Sequence, residues 1–147
     1  MTTFEADLTS VLDDMKSARA ELVSAIQPLS ADDLERVRRG GWPVARVIEH
    51  VIESDYMYAV VAAAIRRQQV GPRGETSCDG QPVDEIICRL ETSRTALLSS
   101  VKDVPEDDFY RLEKLGHEEY SVISLLENTA AHDREHAGQI RSILAST

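Results

Sequence analysis

The chain has 147 residues, of which 42% are hydrophobic and 29% charged, and its 16 basic and 26 acidic residues give a net charge of −10. This length and composition predict a single soluble globular domain over residues 1–147, with enough apolar residues to build a core. The acidic balance argues against a nucleic-acid partner and against adhesion to an anionic membrane, because both partners attract basic surfaces.

The sequence also lacks the signals that direct a chain into or across a membrane. The longest purely apolar run, residues 56–65, is well below the roughly 18 residues that suggest a membrane span. The first residues carry no basic region followed by an apolar one, so we expect no secretory signal. Cys78 and Cys88 form no CxxC motif. We therefore expect a cytoplasmic protein with two free thiols, with a single disulfide as the alternative.

Apolar residues recur every three or four positions in four long segments, which is the period of a helix with one buried face. The predicted helices run from about Phe4 to Gln27, from Pro43 to Gln69, from Pro82 to a stop at Pro105 and from Ser121 to Ala145. Proline suits the first position of the second and third helices, because its missing N–H has no partner there in any case.

The connections differ in length. A short helical turn is predicted over residues 32–38, and residues 70–81 form a long connection that contains three glycines and one proline. Residues 106–119 are charged and irregular, with at most a helical turn over 107–110, and we find no strong strand pattern. The predicted fold class is therefore all-α, a four-helix bundle in which the long connection allows a crossover between the second and third helices.

Three histidines lie in phase with the apolar faces of two of these helices. His132 and His136 are four residues apart on the last helix, and this spacing places both imidazoles on the same face. His50 occupies an inward position on the second helix. Three imidazoles from two helices could bind a divalent metal and leave a coordination position open. The alternative is a set of histidines that are hydrogen-bonded within the core or line a polar cleft.

Other polar residues near this set are weaker candidates for catalysis. Asp133 and Gln139 lie beside the pair on the last helix, where partners that orient metal-binding histidines are common. Asp133 is one position off the inner face, so a solvated or N-capping role is at least as good an interpretation. Gln139 could hydrogen-bond across the bundle. Glu53 is close in phase to His50 and could act as a general base, although a solvated position is favoured. His117 is expected in a surface loop.

Trp42, the paired arginines and Cys88 have simpler interpretations. We expect Trp42 to anchor the core at the start of the second helix. The pairs at residues 38–39 and 66–67 suit the C-terminal ends of helices, where cations are favourable, or could bind an anionic substrate tail. Cys88 is expected to be a small packed residue.

Two segments together resemble the DinB/YfiT-like superfamily: residues 41–51 (GWPVARVIEHV) and residues 131–140 (AHDREHAGQI). The resemblance implies a bundle with up-down-down-up topology and a divalent metal, most readily Zn²⁺ or Ni²⁺, at His50, His132 and His136. It also implies a homodimer. Characterised relatives include thiol-dependent transferases and a mycothiol-dependent maleylpyruvate isomerase, whose pattern can place a carboxylate at the position of His132. The three histidines of this chain are closer to the DinB-like branch.

The leading hypothesis is a metal-dependent transferase that activates a low-molecular-weight thiol for attack on a small-molecule electrophile. Two alternatives stay open at this point. One is a metal-binding or stress-response protein without catalytic activity, and the other is a helical interaction module whose histidines are structural residues of the core.

Overall fold

All four predicted amphipathic segments form helices in the computed structural model, which describes residues 1–146. The long helices are α1 (Thr3–Ile26), α3 (Val44–Arg66), α4 (Val83–Ser100) and α6 (Val122–Ala145), and two short helices, α2 (Ala31–Glu35) and α5 (Glu106–Tyr110), lie in the connections. The ends of α1, α3 and α6 differ from the predicted ones by three residues or fewer, and α4 ends at Ser100, before the predicted stop at Pro105. The fold class, an all-α four-helix bundle, is confirmed.

Side chains cap the free backbone N–H groups at the starts of α1 and α6, whereas α3 and α4 begin after prolines without a side-chain cap. At the start of α1, Thr2 and Glu5 form a reciprocal capping box, and Ser121 and Ser124 do the same for α6. Helix α3 ends three residues earlier than predicted, because Arg67 adopts a left-handed conformation with φ of 56° and turns the chain away.

A β-hairpin precedes α6, and the sequence analysis did not predict it. Strands β1 (Glu113–Leu115) and β2 (Glu118–Tyr120) pair antiparallel around a two-residue turn, in which Gly116 has a φ of 68°. A turn of this kind favours glycine because it requires a positive φ. The strands are three residues long, which is too short for an alternating pattern to stand out in the sequence.

Two layers of apolar side chains fill the bundle and define the directions of its helices. One layer joins the end of α1 and the end of α6 to the beginnings of α3 and α4, and it includes Leu22 and Ile48. The other joins the beginnings of α1 and α6 to the ends of α3 and α4, and it includes Met15 and Leu97. Helices α1 and α6 therefore run one way and α3 and α4 the other. Residues 67–82 return along the bundle to connect the two parallel helices.

Between the two layers lies a buried cluster of four charged side chains, one from each long helix. Arg19 of α1 contacts Asp55 of α3 at 3.0 Å and Asp133 of α6 at 3.1 Å, while Arg94 of α4 contacts the same two carboxylates at 3.3 and 2.8 Å. Ser93 Oγ also donates to Asp55 at 2.7 Å. The two positive and two negative charges balance, and their hydrogen bonds compensate for the loss of water.

The interpretation of Asp133 as a solvated residue was wrong. Its side chain is 1% exposed and accepts hydrogen bonds from both arginines of the cluster. Residues one position apart on a helix point about 100° apart, so Asp133 faces the bundle centre while His132 faces a different side. None of the described helices has an apolar stretch of the length needed to cross a membrane.

Candidate metal centre

His50 of α3 and His132 and His136 of α6 meet in the groove between these two helices. The Nε2 atom of His132 lies 3.2 Å from Nε2 of His50 and 2.8 Å from Nε2 of His136. One ligand atom from each ring lies within 4.8 Å of the others. The helical spacing of His132 and His136 and the inward phase of His50 thus bring together the three residues that the sequence analysis selected. We refer to these residues below as the histidine trio.

The geometry of the trio fits a divalent cation. Nitrogen ligands about 2.0–2.1 Å from a tetrahedral zinc ion lie roughly 3.3 Å from one another, close to the observed separations. A neutral imidazole has only one N–H, so three converging Nε2 atoms cannot all satisfy each other through hydrogen bonds. A cation at their centre would use all three lone pairs.

Gln139 orients one of the three rings. His136 Nδ1–H donates a hydrogen bond to Gln139 Oε1 at 2.7 Å. With its proton on Nδ1, the ring directs the Nε2 lone pair toward the other histidines, as a metal ligand requires. The sequence analysis left two roles open for Gln139. Its contact with His136, one turn away on the same helix, agrees with a partner that orients a histidine and not with a hydrogen bond across the bundle.

The surroundings keep two of the rings neutral. Burial lowers the pKa of His50, and the neighbouring His136 and Arg46 lower it further. Burial likewise lowers the pKa of His132, with additional repulsion from His136 and His50. Glu135 opposes both shifts. Since only a neutral imidazole has a lone pair for a metal, these shifts favour the ligand form near neutral pH.

The trio lies at the edge of the core rather than inside it. His136 is buried, but His50 and His132 are half-buried, so one side of the group opens to solvent. The positions of the three histidines in the helical period predicted that they lie deeper in the core. The difference arises because the inner faces of α3 and α6 are already filled by apolar residues and by Asp55 and Asp133. An exchangeable ligand could therefore reach the trio without opening the bundle.

Trp42 and Arg46 form one wall of this opening. The indole of Trp42 packs edge-on against His50 with ring centroids 5.5 Å apart, and the Arg46 guanidinium lies 4.8 Å from the indole ring. Trp42 is 43% exposed, so its interpretation as a core anchor was wrong. The sequence analysis missed Arg46, although its i+3 and i+7 spacing to Glu49 and Glu53 placed all three on one helix face.

Glu53 is held by Arg46 instead of by a histidine. Both of its carboxylate oxygens accept from Arg46 Nη1, at 3.2 and 3.3 Å. Within residues 1–146, no hydrogen bond joins Glu53 to the trio. Because both oxygens are directed at Arg46 and neither at the trio, the geometry does not support Glu53 as a general base.

The remaining histidine and the cysteines lie away from the trio. His117 is exposed in the turn of the β-hairpin, as expected. Cys78 is buried, and burial together with the nearby Glu49 raises the pKa of its thiol to about 12. Cys88 is exposed, contrary to its interpretation as a packed residue. Both thiols are free, as expected.

Comparison with known proteins identifies the family of this chain. The sequence profile of the DinB superfamily matches residues 14–140. The match spans most of the chain and includes all three members of the trio. The chain is a member of the DinB superfamily.

A solved structure with a similar fold is TT2238, described as a four-helix bundle protein. It shares 19% sequence identity with this chain and superposes with a TM-score of 0.70, covering 91% of this chain and 98% of TT2238. At this level of identity the likeness concerns the fold alone. Among curated proteins there is no match.

Proposed function

We propose that the histidine trio binds a divalent metal ion, Zn²⁺ or Ni²⁺, and that the site activates a small thiol for attack on an electrophile. The observation that carries the proposal is the convergence of three Nε2 atoms at a half-open groove, with His136 already oriented by Gln139. Membership of the DinB superfamily supports the same assignment.

A bound zinc ion lowers the pKa of a coordinated water to about 7 and deprotonates a coordinated thiol outright. The residues of the chain supply the conditions for that chemistry. The three neutral imidazoles add no charge and therefore leave the ion its full affinity for an anionic ligand. Gln139 holds His136 in the required tautomer, and the half-exposed faces of His50 and His132 leave room for a ligand from solvent.

The chain's own cysteines are poor sources of the thiol. Cys78 is buried, and its pKa of about 12 keeps it protonated. Cys88 is exposed on α4, and α4 contributes no residue to the trio. A low-molecular-weight thiol from solution is therefore the nucleophile in this proposal. Its sulfur forms a bond to a carbon of the electrophile, the bond to the leaving group breaks, and the thiol proton passes to solvent.

Calorimetric titration with Zn²⁺ and with Ni²⁺ tests the metal site. The wild type is expected to bind one ion per chain, and His136→Ala is expected to lose most of that affinity. His117→Ala is the matched control, because it removes an exposed histidine outside the trio. Circular dichroism checks that both variants are folded. Equal binding by the wild type and His136→Ala would refute the metal site.

The reaction is tested with monochlorobimane and a small thiol such as L-cysteine. The zinc-loaded protein is expected to accelerate formation of the fluorescent thioether with release of chloride, and His136→Ala is expected to lose the acceleration. Metal binding without turnover of any electrophile would favour the non-catalytic metal-binding alternative. Absence of metal binding would favour a helical module with structural histidines. The homodimer implied by the family resemblance is a separate proposal, which sedimentation equilibrium tests.

A further inference from the structure

A cavity of about 400 Å³ opens directly beside the trio, and the proposed chemistry gives it no role. Its walls include Arg38, Trp42, Glu135, Gly138, Gln139 and Ser142. Two of these residues also contact the trio, since Trp42 packs on His50 and Gln139 accepts from His136. A molecule with one end at the trio could therefore place its other end in this cavity.

The loop that forms one wall is held by the backbone. Val37 and Pro43 form an isolated antiparallel bridge, and the N–H of Val44 donates to the carbonyl of Arg36 at 3.0 Å. Within the loop, the N–H of Gly41 donates to the carbonyl of Arg38 at 2.8 Å. These bonds position Arg38 and Trp42 opposite α6, so the cavity is already formed in the absence of a ligand.

The opposite wall contains a glycine that packing does not require. Gly138 lies in the interior of α6, where glycine is among the least favourable residues. A Cβ atom added at this position would have no neighbouring atom within 4 Å. No close contact therefore explains the glycine, and its missing side chain leaves the cavity wide at a point one residue from Gln139.

The cavity carries one positive and one negative group, Arg38 and Glu135. Arg38 donates to Ser142 Oγ at 2.9 Å but forms no ion pair with any of the described residues. Glu135 likewise has no ion-pair partner among residues 1–146. By contrast, Arg46, the other guanidinium near the trio, is paired with Glu53. Arg38 and Glu135 are thus available to a ligand of opposite charges.

We propose that this cavity binds the zwitterionic end of a small thiol, with a carboxylate at Arg38, an ammonium group at Glu135 and the sulfur directed to the trio. Cysteine and short cysteinyl conjugates belong to this chemical class. The sulfur part of this proposal rests on the proposed function, whereas the recognition of the two charges does not.

Trp42 allows the cavity to be tested without a metal. It is the only tryptophan of the chain, it lines the cavity, and it is 43% exposed, so its fluorescence reports occupancy. The metal-free protein is titrated with three thioethers that cannot act as thiolates: S-methyl-L-cysteine, its N-acetyl derivative, and S-methylcysteamine. The first carries both charges, the second only the carboxylate, and the third only the ammonium group.

The expected pattern is selective. Arg38→Gln is expected to weaken the binding of the two probes that carry a carboxylate about tenfold and to leave the binding of S-methylcysteamine unchanged. A charge-assisted bond contributes on the order of 1.4 kcal/mol or more, equivalent to a factor of ten. Glu135→Gln is expected to weaken the binding of the two probes that carry an ammonium group and to leave the binding of the N-acetyl derivative unchanged. Gly138→Leu fills the cavity and weakens all three, while it leaves the helix intact. Arg39→Gln, on the neighbouring exposed arginine, is the matched control.

The three parent thiols of these probes, L-cysteine, N-acetyl-L-cysteine and cysteamine, are then titrated into the cobalt-loaded protein. In this protein a sulfur ligand produces a charge-transfer absorption band. If the trio binds no metal but the fluorescence pattern holds, the proposed function fails and the cavity assignment stands. If the protein binds cobalt and thiols, but Arg38→Gln and Glu135→Gln bind all probes as the wild type does, the cavity assignment is overturned.

Discussion

Replacing Asp133 with asparagine is expected to destabilise the fold more than any change of one surface charge. The carboxylate accepts three hydrogen bonds, from Nε and Nη2 of Arg19 and from Nη2 of Arg94, and it is 1% exposed. Asparagine keeps the shape but leaves two buried guanidinium groups with Asp55 as their only carboxylate. Removal of one partner from a buried ion pair costs about 3–5 kcal/mol.

Urea unfolding followed by circular dichroism measures this loss. With a denaturant slope of about 2 kcal/mol per molar, the midpoint is expected to fall by roughly 2 M. The control is Asp14→Asn. Asp14 lies 2.8 Å from Arg134, the same N–O distance as between Asp133 and Arg94, but its side chain is 50% exposed. An exposed pair contributes only about 0–1 kcal/mol.

Both carboxylates lie 2.8 Å from an arginine, so the comparison contrasts a buried aspartate that has two arginine partners with an exposed aspartate that has one. If the two variants lose equal free energy of unfolding, burial does not strengthen the dependence of Arg19 and Arg94 on Asp133, and the argument from desolvation is refuted. A loss of several kcal/mol in Asp133→Asn alone, with an unchanged denaturant slope, supports it.

Four further predictions concern Gln139, Tyr56, Gly74 and the pH dependence of stability. Tyr56 of α3 is buried, and Gly74 of the connection between α3 and α4 lies against its hydroxyl. Gln139→Ala is expected to weaken zinc binding by about 10- to 100-fold in calorimetry without changing the thermal midpoint of the metal-free protein, and a changed midpoint with unchanged affinity would contradict this. Tyr56→Phe is expected to stabilise the protein by about 1 kcal/mol, since the buried hydroxyl has no hydrogen-bond partner. Gly74→Ala is expected to destabilise it, because a Cβ would lie 2.6 Å from that hydroxyl, and the double variant should recover part of the loss. The metal-free protein is expected to lose stability as the pH falls through about 6.5, because His50 and His132 have lowered pKa values when folded and the unfolded chain binds more protons. The thermal midpoint between pH 8 and pH 5, compared with a variant that carries glutamine at both positions, measures this contribution, and equal pH dependence of the two proteins would argue against it.

The features that could be predicted from the sequence are those that depend on the period of a helix. The apolar stripes defined all four long helices, and the four-residue spacing of His132 and His136 placed both on one face. His50 joined them because its helix has the same period and a matching inward phase. The short strands around Gly116 escaped the same reasoning, since three residues are too few to show a period.

The features that could not be predicted depend on which helices are neighbours. Asp133 is next to His132 in sequence, and the sequence does not show that two arginines from other helices lie at the bundle centre. Trp42 looked like a core residue because it is large and apolar, yet its place is beside His50 and under Arg46. The role of Gln139 turned on a single hydrogen bond within α6. Each of these outcomes is set by tertiary contacts and not by local pattern.

The ion cluster and the trio constrain each other through the geometry of α6. His132 and Asp133 are consecutive, so they point about 100° apart and turn together when the helix rotates about its axis. A rotation that moved His132 away from His50 would also withdraw Asp133 from Arg19 and Arg94, at the cost of unpaired buried charges. Those two arginines belong to α1 and α4, which carry none of the histidines. The spacing of the three Nε2 atoms is therefore held from the far side of the bundle, by side chains that never touch the site.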